Sequence, residues 1–269
     1  MLLNDTPVYI GTSGYNYEDW KGRFAPKGIT NYDMLSYYAE QGLNFLELAF
    51  TFYRFPERDK IEHILHRTNG KVRFSVRIPK VIMHHPSDKK VINEFLKGLS
   101  PMIDAGLLES FFADFLPAFV SSKANYQHIL ALRNAFKGNS LFIELQSRTW
   151  YKEKTFDFFR ENNIGLTTID MPDIKGTAPY YPTAVNYYQY YKLYGRSPKW
   201  IAGADKFLDY SYSDRELAKI LRDALSGSVT AKAIIIIFAN VAEGYAPQNA
   251  LKLKGMIEGR HNGSGRPSE

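Results

Sequence analysis

Five charged residues lie at the carboxyl ends of short apolar segments, where an ionised group is costly to bury unless it is paired or binds a ligand. They are Glu47, Arg77, Glu144, Asp170 and Lys192. Carboxylates beside cations suit acid–base chemistry on an anionic molecule, because the cations hold the anion while the acids exchange protons. The alternative is a plug of interior salt bridges without a ligand.

Residue type assigns the roles within this cluster. Glu47 and Glu144 are expected to be the catalytic acid–base groups, with Asp170 as their electrostatic partner. The cations expected to hold the anion are Arg77, Lys192 and Arg196.

A metal site is the competing chemistry. Glu47, His84, Glu144 and Asp170 offer the oxygen and nitrogen ligands that a divalent cation prefers. The cations expected in the same place would repel a metal ion, so we favour a site without metal. The residues specify no other cofactor.

Other polar and aromatic residues complete the expected pocket. Aromatic rings can stack on sugars or bases while their polar groups hydrogen-bond, although packing against helices is the simpler use of them. The residues expected to bind or wall the ligand are Ser13, Tyr15, Trp20, Tyr53, His84, Gln146, Trp150, Tyr194 and Asn240.

Eight apolar segments, each followed by a loop and usually by a helical pattern, must position these residues. This alternation predicts an α/β fold, a single (β/α)8 TIM-type barrel, in which ligands bind at the carboxyl ends of the strands. The predicted strands are Val8–Thr12, Phe45–Leu48, Val72–Arg77, Phe111–Ala113, Leu141–Leu145, Gly165–Ile169, Tyr187–Leu193 and Ala233–Phe238. Among the helices, one is expected to be capped by Ser87 and to end near Leu99.

Side chains two residues apart on a strand share a face, which predicts the inward side of each segment. The residues expected to point inward are Glu47 and Ala49; Arg73, Ser75 and Arg77; Phe142, Glu144 and Gln146; Leu166, Thr168 and Asp170; Tyr188, Tyr190, Lys192 and Tyr194; and Ile236, Phe238 and Asn240.

Length and composition set the remaining bounds. One barrel takes roughly 250 residues, so we expect a single domain over residues 1–257 and a flexible tail over 258–269. The segment Ile257-Glu258-Gly259-Arg260 matches a common engineered protease site, and the tail is left out of the functional argument.

The chain has no cysteine, which excludes disulfides, thiolate nucleophiles and cysteine metal sites.

Charge and hydropathy bear on partners and location. Lys and Arg total 34 against 28 for Asp and Glu, and the pI is about 9.2. The basic residues are scattered, so a nucleic-acid partner is a weaker expectation than a small polar or anionic molecule. The longest apolar stretch, Ala233–Ala239, is too short to span a bilayer. Because residues 1–7 lack the features of a signal peptide, we expect a cytoplasmic protein without a membrane partner; the residues leave its oligomeric state open.

Two motifs resemble signatures of the YecE-like proteins, the family of unknown function numbered seventy-two. The first comprises Gly11-Thr12-Ser13-Gly14-Tyr15 with Tyr17, Asp19-Trp20 and Gly22; the second comprises Glu47, Thr51-Phe52-Tyr53-Arg54 and Pro56. The resemblance covers about residues 8–255 and implies a barrel of this type with a pocket, but no reaction.

The chain departs from the family pattern at several inward or strand-end positions. At each of these positions the family usually has a different residue. It has Asn where this chain has Ala49 or Ala239, Lys where it has Arg77, Thr where it has Met83, Arg where it has Gln146 or Lys192, and His where it has Tyr194. Loss of two arginine forks removes planar bidentate recognition of phosphate or carboxylate. The resemblance therefore implies a divergent member with a different ligand or a lost activity.

Two functional hypotheses follow. The first is an enzyme that acts on a polar, anionic small molecule, such as a sugar or nucleotide derivative, at the carboxyl-terminal mouth of the barrel. The alternative is a non-catalytic ligand- or nucleic-acid-binding protein.

Overall fold

The apolar segments form strands that lie side by side in the order in which they occur along the chain. The computed structural model describes residues 1–3, 5–185, 188–199, 208–226 and 231–263. The strands are β1 (Leu2–Leu3), β2 (Thr6–Ser13), β3 (Phe45–Leu48), β4 (Arg73–Arg77), β5 (Leu108–Phe115), β6 (Leu141–Leu145), β7 (Gly165–Asp170), β8 (Tyr188–Leu193) and β9 (Ala233–Phe238).

Eight of these strands form a closed parallel barrel. Strands β2 to β9 pair in sequence order, and β9 pairs back onto β2, with Val8 opposite Ile234 and Thr12 opposite Phe238. The short β1 runs antiparallel to the start of β2. With helices between most of the strands, this is the (β/α)8 TIM-type barrel that the alternation predicts.

Helices follow most of the strands and cover the barrel. They are α1 (Met34–Glu40), α2 (Arg58–Thr68), α3 (Lys80–His84), α4 (Lys89–Gly98), α5 (Ser100–Asp104), α6 (Lys123–Ala135), α7 (Glu153–Glu161), α8 (Asp214–Ser226) and α9 (Tyr245–Gly263). The expected cap at Ser87 is wrong by one residue: Asp88 caps α4, and its carboxylate accepts hydrogen bonds from the backbone N–H groups of Lys90 and Val91. Helix α9 extends past Ile257, where the domain was expected to end, and residues 264–269 lie outside the described part.

Two apolar layers lie on opposite sides of the strands. The inner layer fills the barrel and contains Phe45, Phe112, Phe142, Tyr190, Ile235 and Ile237. The outer layer packs the other strand faces against the helices, as with Leu46 and Val76. Both faces of each strand are therefore buried, as is usual for a parallel sheet covered by helices.

The register of β7 corrects one predicted face. Lys192 of β8, which points inward, lies opposite Ile169 of β7, whereas Asp170 lies opposite Leu193. Paired residues on adjacent parallel strands point to the same side, so Ile169 faces the interior and Asp170 faces the helices. The expectation that Leu166, Thr168 and Asp170 point inward was wrong, because each face of this strand carries one Thr and one large aliphatic residue and the sequence gives no contrast between them.

Strand β9 is corrected in the same way. Lys192 lies opposite Ile237, which belongs to the inner layer together with Ile235. Ile236 and Phe238 consequently pack in the outer layer, not inside the barrel as expected. Four consecutive isoleucines give no contrast between the two faces, so the alternation could not identify the inward one.

Within the described residues, no helix combines the length and the apolar character that crossing a bilayer requires.

Candidate functional site

Glu47 lies at the carboxyl end of β3 and is completely buried. Its Oε1 accepts a hydrogen bond from Ser13 Oγ at 2.7 Å, and its Oε2 accepts one from the Tyr190 hydroxyl at 2.9 Å. The Lys192 ammonium forms an ion pair with Oε1. Burial alone would raise the pKa of Glu47, but Lys192 and the two hydroxyls outweigh it and lower the pKa below its usual value. Glu47 is therefore ionised at neutral pH.

Glu144, at the carboxyl end of β6, is also completely buried but has the opposite protonation behaviour. Its Oε1 accepts from Gln146 Nε2 at 2.7 Å, and the Tyr194 hydroxyl lies 3.0 and 2.9 Å from its two oxygens. Burial raises the pKa of Glu144 to about 7, because the opposing effect of Lys192 is too small to offset it and Asp114 adds a like charge. This carboxyl group can therefore both accept and donate a proton near neutral pH.

Lys192 connects the two carboxyl groups. It projects inward from β8, its side chain is 4% exposed, and its Nζ bonds Glu47 while its charge also acts on Glu144. The ammonium lies 4.3 Å from the ring centre of Phe112 and 5.7 Å from that of Tyr194, within range of cation–π attraction. One buried cation thus faces two buried acids.

A second ion pair lies beside this group. Arg77 Nε and Nη2 donate to the two carboxylate oxygens of Asp114 at 2.6 and 2.7 Å, and the guanidinium carbon lies 3.9 Å from the ring centre of Phe52. Asp114 was not among the predicted residues, because the predicted strand ended at Ala113. Asp114 continues the inward alternation of Ser110 and Phe112, and that pattern could have identified it.

Two adjacent cavities open over these residues. One, of about 380 Å³, contains Glu47 in its wall with Tyr15, Tyr17 and Arg54. The other, of about 770 Å³, is lined on its polar side by the residues Arg77, Lys80, His84, Asp114 and His128. Arg77 and Tyr53 belong to both walls, so the two cavities are neighbours, and together we call them the mouth. Its volume is in the range of small-molecule sites.

Asp170 lies apart from this mouth. Its outward side chain accepts a hydrogen bond from Arg196 Nε at 2.9 Å, and Arg196 also reaches Glu216 at 3.4 Å. Burial raises the pKa of Asp170 against the effect of Arg196. The structure brings Glu47 and Glu144 together around Lys192, but it does not add Asp170 or Arg196 to them. Both belong to a second network that holds the loops after β8.

Three of the expected pocket residues support loops instead. The indole of Trp20 donates to the carbonyl of Val241 at 2.7 Å, and that of Trp150 donates to the carbonyl of Phe119 at 2.6 Å. Both rings are buried in the outer core and do not face the mouth. Asn240 is likewise buried, and its amide donates to the Tyr210 carbonyl at 2.7 Å and to Asn249 at 2.9 Å.

The other expected residues lie at the mouth or directly beneath it. Ser13, Gln146 and Tyr194 hydrogen-bond the two buried carboxyl groups, and the exposed side chains of Tyr53 and His84 lie at the rim. His84 is not grouped with the acids, so the four ligands considered for a metal are not assembled. Across the described part of the chain, no three His, Asp or Glu side chains cluster as a metal site would need.

Comparison with known proteins identifies the family. A family model described as "Protein of unknown function DUF72" matches residues 9–269. The chain belongs to DUF72. This confirms the resemblance seen in the two sequence motifs.

Solved DUF72 structures share the whole architecture. A DUF72 family protein from Thermotoga maritima is 30% identical, with a TM-score of 0.86 over 94% of this chain and 99% of its own. One from Enterococcus faecalis is 24% identical, with a TM-score of 0.83 over 93% of this chain and 95% of its own. No curated protein matches the sequence. These similarities give a family and a fold, and they name no reaction.

Proposed function

We propose that this DUF72 protein is an enzyme that carries out acid–base chemistry on a polar, anionic small molecule, such as a sugar phosphate or a nucleotide, at the mouth of the barrel. One observation carries the proposal. Two buried carboxyl groups share a single lysine, and their pKa values are displaced in opposite directions. Such a pair provides an ionised base and a protonated acid at the same pH.

The cavity walls support the choice of an anionic substrate. Arg77, Lys80 and His84 line the larger cavity against one acid, Asp114, which is already paired with Arg77. Phe52 and Phe119 supply apolar surface beside these groups. An anion held by the cations would place the rest of the molecule beside the smaller cavity, whose wall includes Glu47.

The proposed division of roles follows from access. Glu47 is ionised and lines a cavity, which suits a general base. Glu144 is covered by Gln146 and Tyr194, so its proton would move through the Tyr194 hydroxyl that it already bonds. Tyr194 acts electrostatically on Arg77, which supports a hydroxyl position near the proposed anion. The cytoplasm, the proposed location, rests on the sequence alone.

The test is a conversion assay on a defined mixture of sugar phosphates and nucleotides. Phosphorus and proton NMR follow each component over time, and we expect the wild-type protein to convert at least one of them. In Glu47→Gln and Glu144→Gln the rate should fall by about 10²- to 10⁴-fold, the range of general acid–base catalysis.

The matched control is Glu57→Gln, which removes an exposed carboxylate paired with Lys60 outside the mouth. It should leave the rate unchanged. Thermal unfolding identifies a variant that has lost its fold, and for such a variant the rate is taken from Glu47→Asp or Glu144→Asp instead. Equal rates in the wild type and in folded variants of Glu47 and Glu144 would overturn the proposed roles. If the wild type converts no component, the proposal that this protein is an enzyme is overturned.

One observation favours a non-catalytic binding protein. Every oxygen of Glu47 and Glu144 is already hydrogen-bonded, and Glu144 lines neither cavity of the mouth. A thermal-shift screen of the same mixture that gives a saturable stabilisation without turnover supports this alternative.

For a nucleic-acid ligand, filter retention of single-stranded DNA or RNA should be strongest at low salt. No retention there would exclude it.

A further inference from the structure

A third cavity adjoins the mouth on the side of α1 and α2. It has a volume of about 310 Å³ and is adjacent to the smaller cavity, since Tyr15, Phe50 and Arg54 line both. Its wall contains four basic residues and no acid; the four are Arg54, Lys60, His63 and Arg67. We call this cavity the α2 cleft.

Arg67 is the residue of the cleft whose environment calls for an anion. It is half-buried, and its guanidinium carbon lies 2.9 Å from the ring centre of Tyr32, an aromatic residue that is itself 67% exposed. Within the described residues, Arg67 forms no ion pair with a carboxylate. The Tyr32 ring and the helix dipole at the last turn of α2 both favour a cation here, but neither supplies the oxygen acceptors that a guanidinium binds in a bidentate way, and a bound anion would supply them.

Arg54 faces the same cleft, although its side chain is exposed rather than half-buried. Its guanidinium lies 5.3 Å from the ring centre of Phe50, and in the described part of the protein it has no carboxylate partner either. Lys60 differs, because it is already paired with Glu57 at 2.7 Å. Two arginines that no described carboxylate pairs with, lining one pocket, form the kind of site that binds a phosphate group through bidentate hydrogen bonds.

We propose that the α2 cleft is a second anion subsite, formed by Arg54 and Arg67, and that it takes a phosphate group. Where the proposed function places a first anion beside Arg77, this subsite makes the ligand an elongated molecule with a phosphate at each end. The connecting part would cross the wall that contains Glu47. That second statement rests on the proposed function, whereas phosphate binding at Arg54 and Arg67 does not.

Side-chain NMR on the full-length protein tests the subsite directly with inorganic phosphate as the probe. The Nε–H signals of Arg54 and Arg67 should shift and saturate during the titration. Arg160, an exposed arginine paired with Asp157 on α7, is the internal control and should show no saturable shift. Shifts at Arg54 and Arg67 no larger than that of Arg160 would overturn the proposal.

Variants separate this subsite from the mouth. Arg67→Gln should weaken the saturable response of Arg54 at least tenfold, whereas Arg160→Gln, with the same change in charge, should leave it unchanged. Equal weakening by both variants would mean a nonspecific effect of net charge and would overturn the subsite. Failure of the conversion assay with intact phosphate binding here would reject the proposed function alone.

A second arm tests the elongated ligand. To the wild type, adenosine 3′,5′-bisphosphate should bind at least tenfold more tightly than adenosine 5′-monophosphate. To the double variant Arg54→Gln/Arg67→Gln, the two nucleotides should bind with equal affinity. A short single-stranded oligonucleotide, assayed beside them, shows whether the second phosphate comes from a small molecule or from a nucleic-acid strand. If neither probe with more than one phosphate group binds more tightly than adenosine 5′-monophosphate, the two-phosphate ligand is overturned.

Discussion

At the scale of single residues, the feature that matters most is the position of Lys192 between two buried acids. A buried ammonium and one carboxylate form a pair with no net charge, but here a second carboxyl group lies in the electric field of the same ammonium. The acid that the lysine bonds directly stays ionised, and the acid that it reaches only through space keeps its proton to about pH 7. Geometry alone thus makes two glutamates chemically different.

Replacing Lys192 with Met should test this coupling. The change leaves the charge of Glu47 buried without its partner, so we expect the free energy of unfolding to fall by about 3–5 kcal/mol. Glu47→Gln in the same background should recover part of the loss. Urea unfolding of the two single variants and the double variant measures the coupling in a double-mutant cycle.

The exposed pair of Lys60 and Glu57 is the matched control for that cycle. Its Nζ–Oε1 distance is 2.7 Å, but both side chains are more than half exposed, so we expect a coupling of less than about 1 kcal/mol. Additive losses at Lys192 and Glu47 would contradict the ion pair described here.

Glu144 should make stability depend on pH. Between about pH 4.5 and about 7 the unfolded chain has lost this proton while the folded protein retains it, so the free energy of unfolding falls as the pH rises through that range. Relative to Glu144→Gln, the wild type should lose stability on the order of 3 kcal/mol across it. Urea unfolding at a series of pH values measures the difference, and parallel curves for the two proteins would refute the raised pKa.

At the scale of the elements, composition predicts where strands lie better than which way they face. The observed bounds of β3, β6 and β9 coincide with those predicted, because each is an apolar run between turn-forming or polar residues. Glu47, Arg77, Glu144 and Lys192 were also placed on the correct face. In these four strands the inward side carries a charge, which distinguishes it from the apolar side.

The inward side of β7 was not predictable in this way. Each face carries one Thr and one large aliphatic residue, and the one charged residue, Asp170, points outward to Arg196. A parallel strand buried on both sides provides no polarity contrast, so only the register with β8 decides its orientation. The site could therefore be predicted as far as the Glu47–Glu144 pair, but not as far as the separation of Asp170 from it.

Strand packing also gives a testable prediction at Gly11 of β2. A side-chain carbon here would overlap the carbonyl oxygen of Phe45 on the neighbouring strand and crowd the Tyr38 hydroxyl. We expect Gly11→Ala to lower the free energy of unfolding by about 1–3 kcal/mol or more, as overpacking does. Gly255→Ala on α9 is the control, since nothing lies near that position, and it should raise stability by about 0.5–1 kcal/mol. Similar effects in urea unfolding would contradict the close approach of β2 to β3.

At the scale of the whole molecule, one continuous outer core connects distant parts of the chain. Trp20, near the first strand, and Trp150, after β6, are both completely buried in it. Because a barrel loses its pairing on both sides of any strand that leaves, we expect the described residues to unfold as one unit.

Tryptophan fluorescence tests that cooperativity. Trp200 lies outside the described residues and is replaced by Phe in both reporters, which then carry Trp20→Phe or Trp150→Phe. The remaining tryptophan of each should give a urea midpoint that agrees with far-UV circular dichroism on the same protein. Separate midpoints within one protein would show that the two parts of the barrel unfold independently.

The pairing of β9 with β2 has a consequence during synthesis. The first barrel strand leaves the ribosome long before the strand that completes its hydrogen bonding, so most of the polypeptide is translated while two sheet edges remain open. Open edges invite aggregation, and a nascent chain stalled before Ala233 should consequently depend on chaperones. A chain that is released only after Phe238 has been translated should no longer depend on chaperones, since β9 can then pair with β2 and close the barrel.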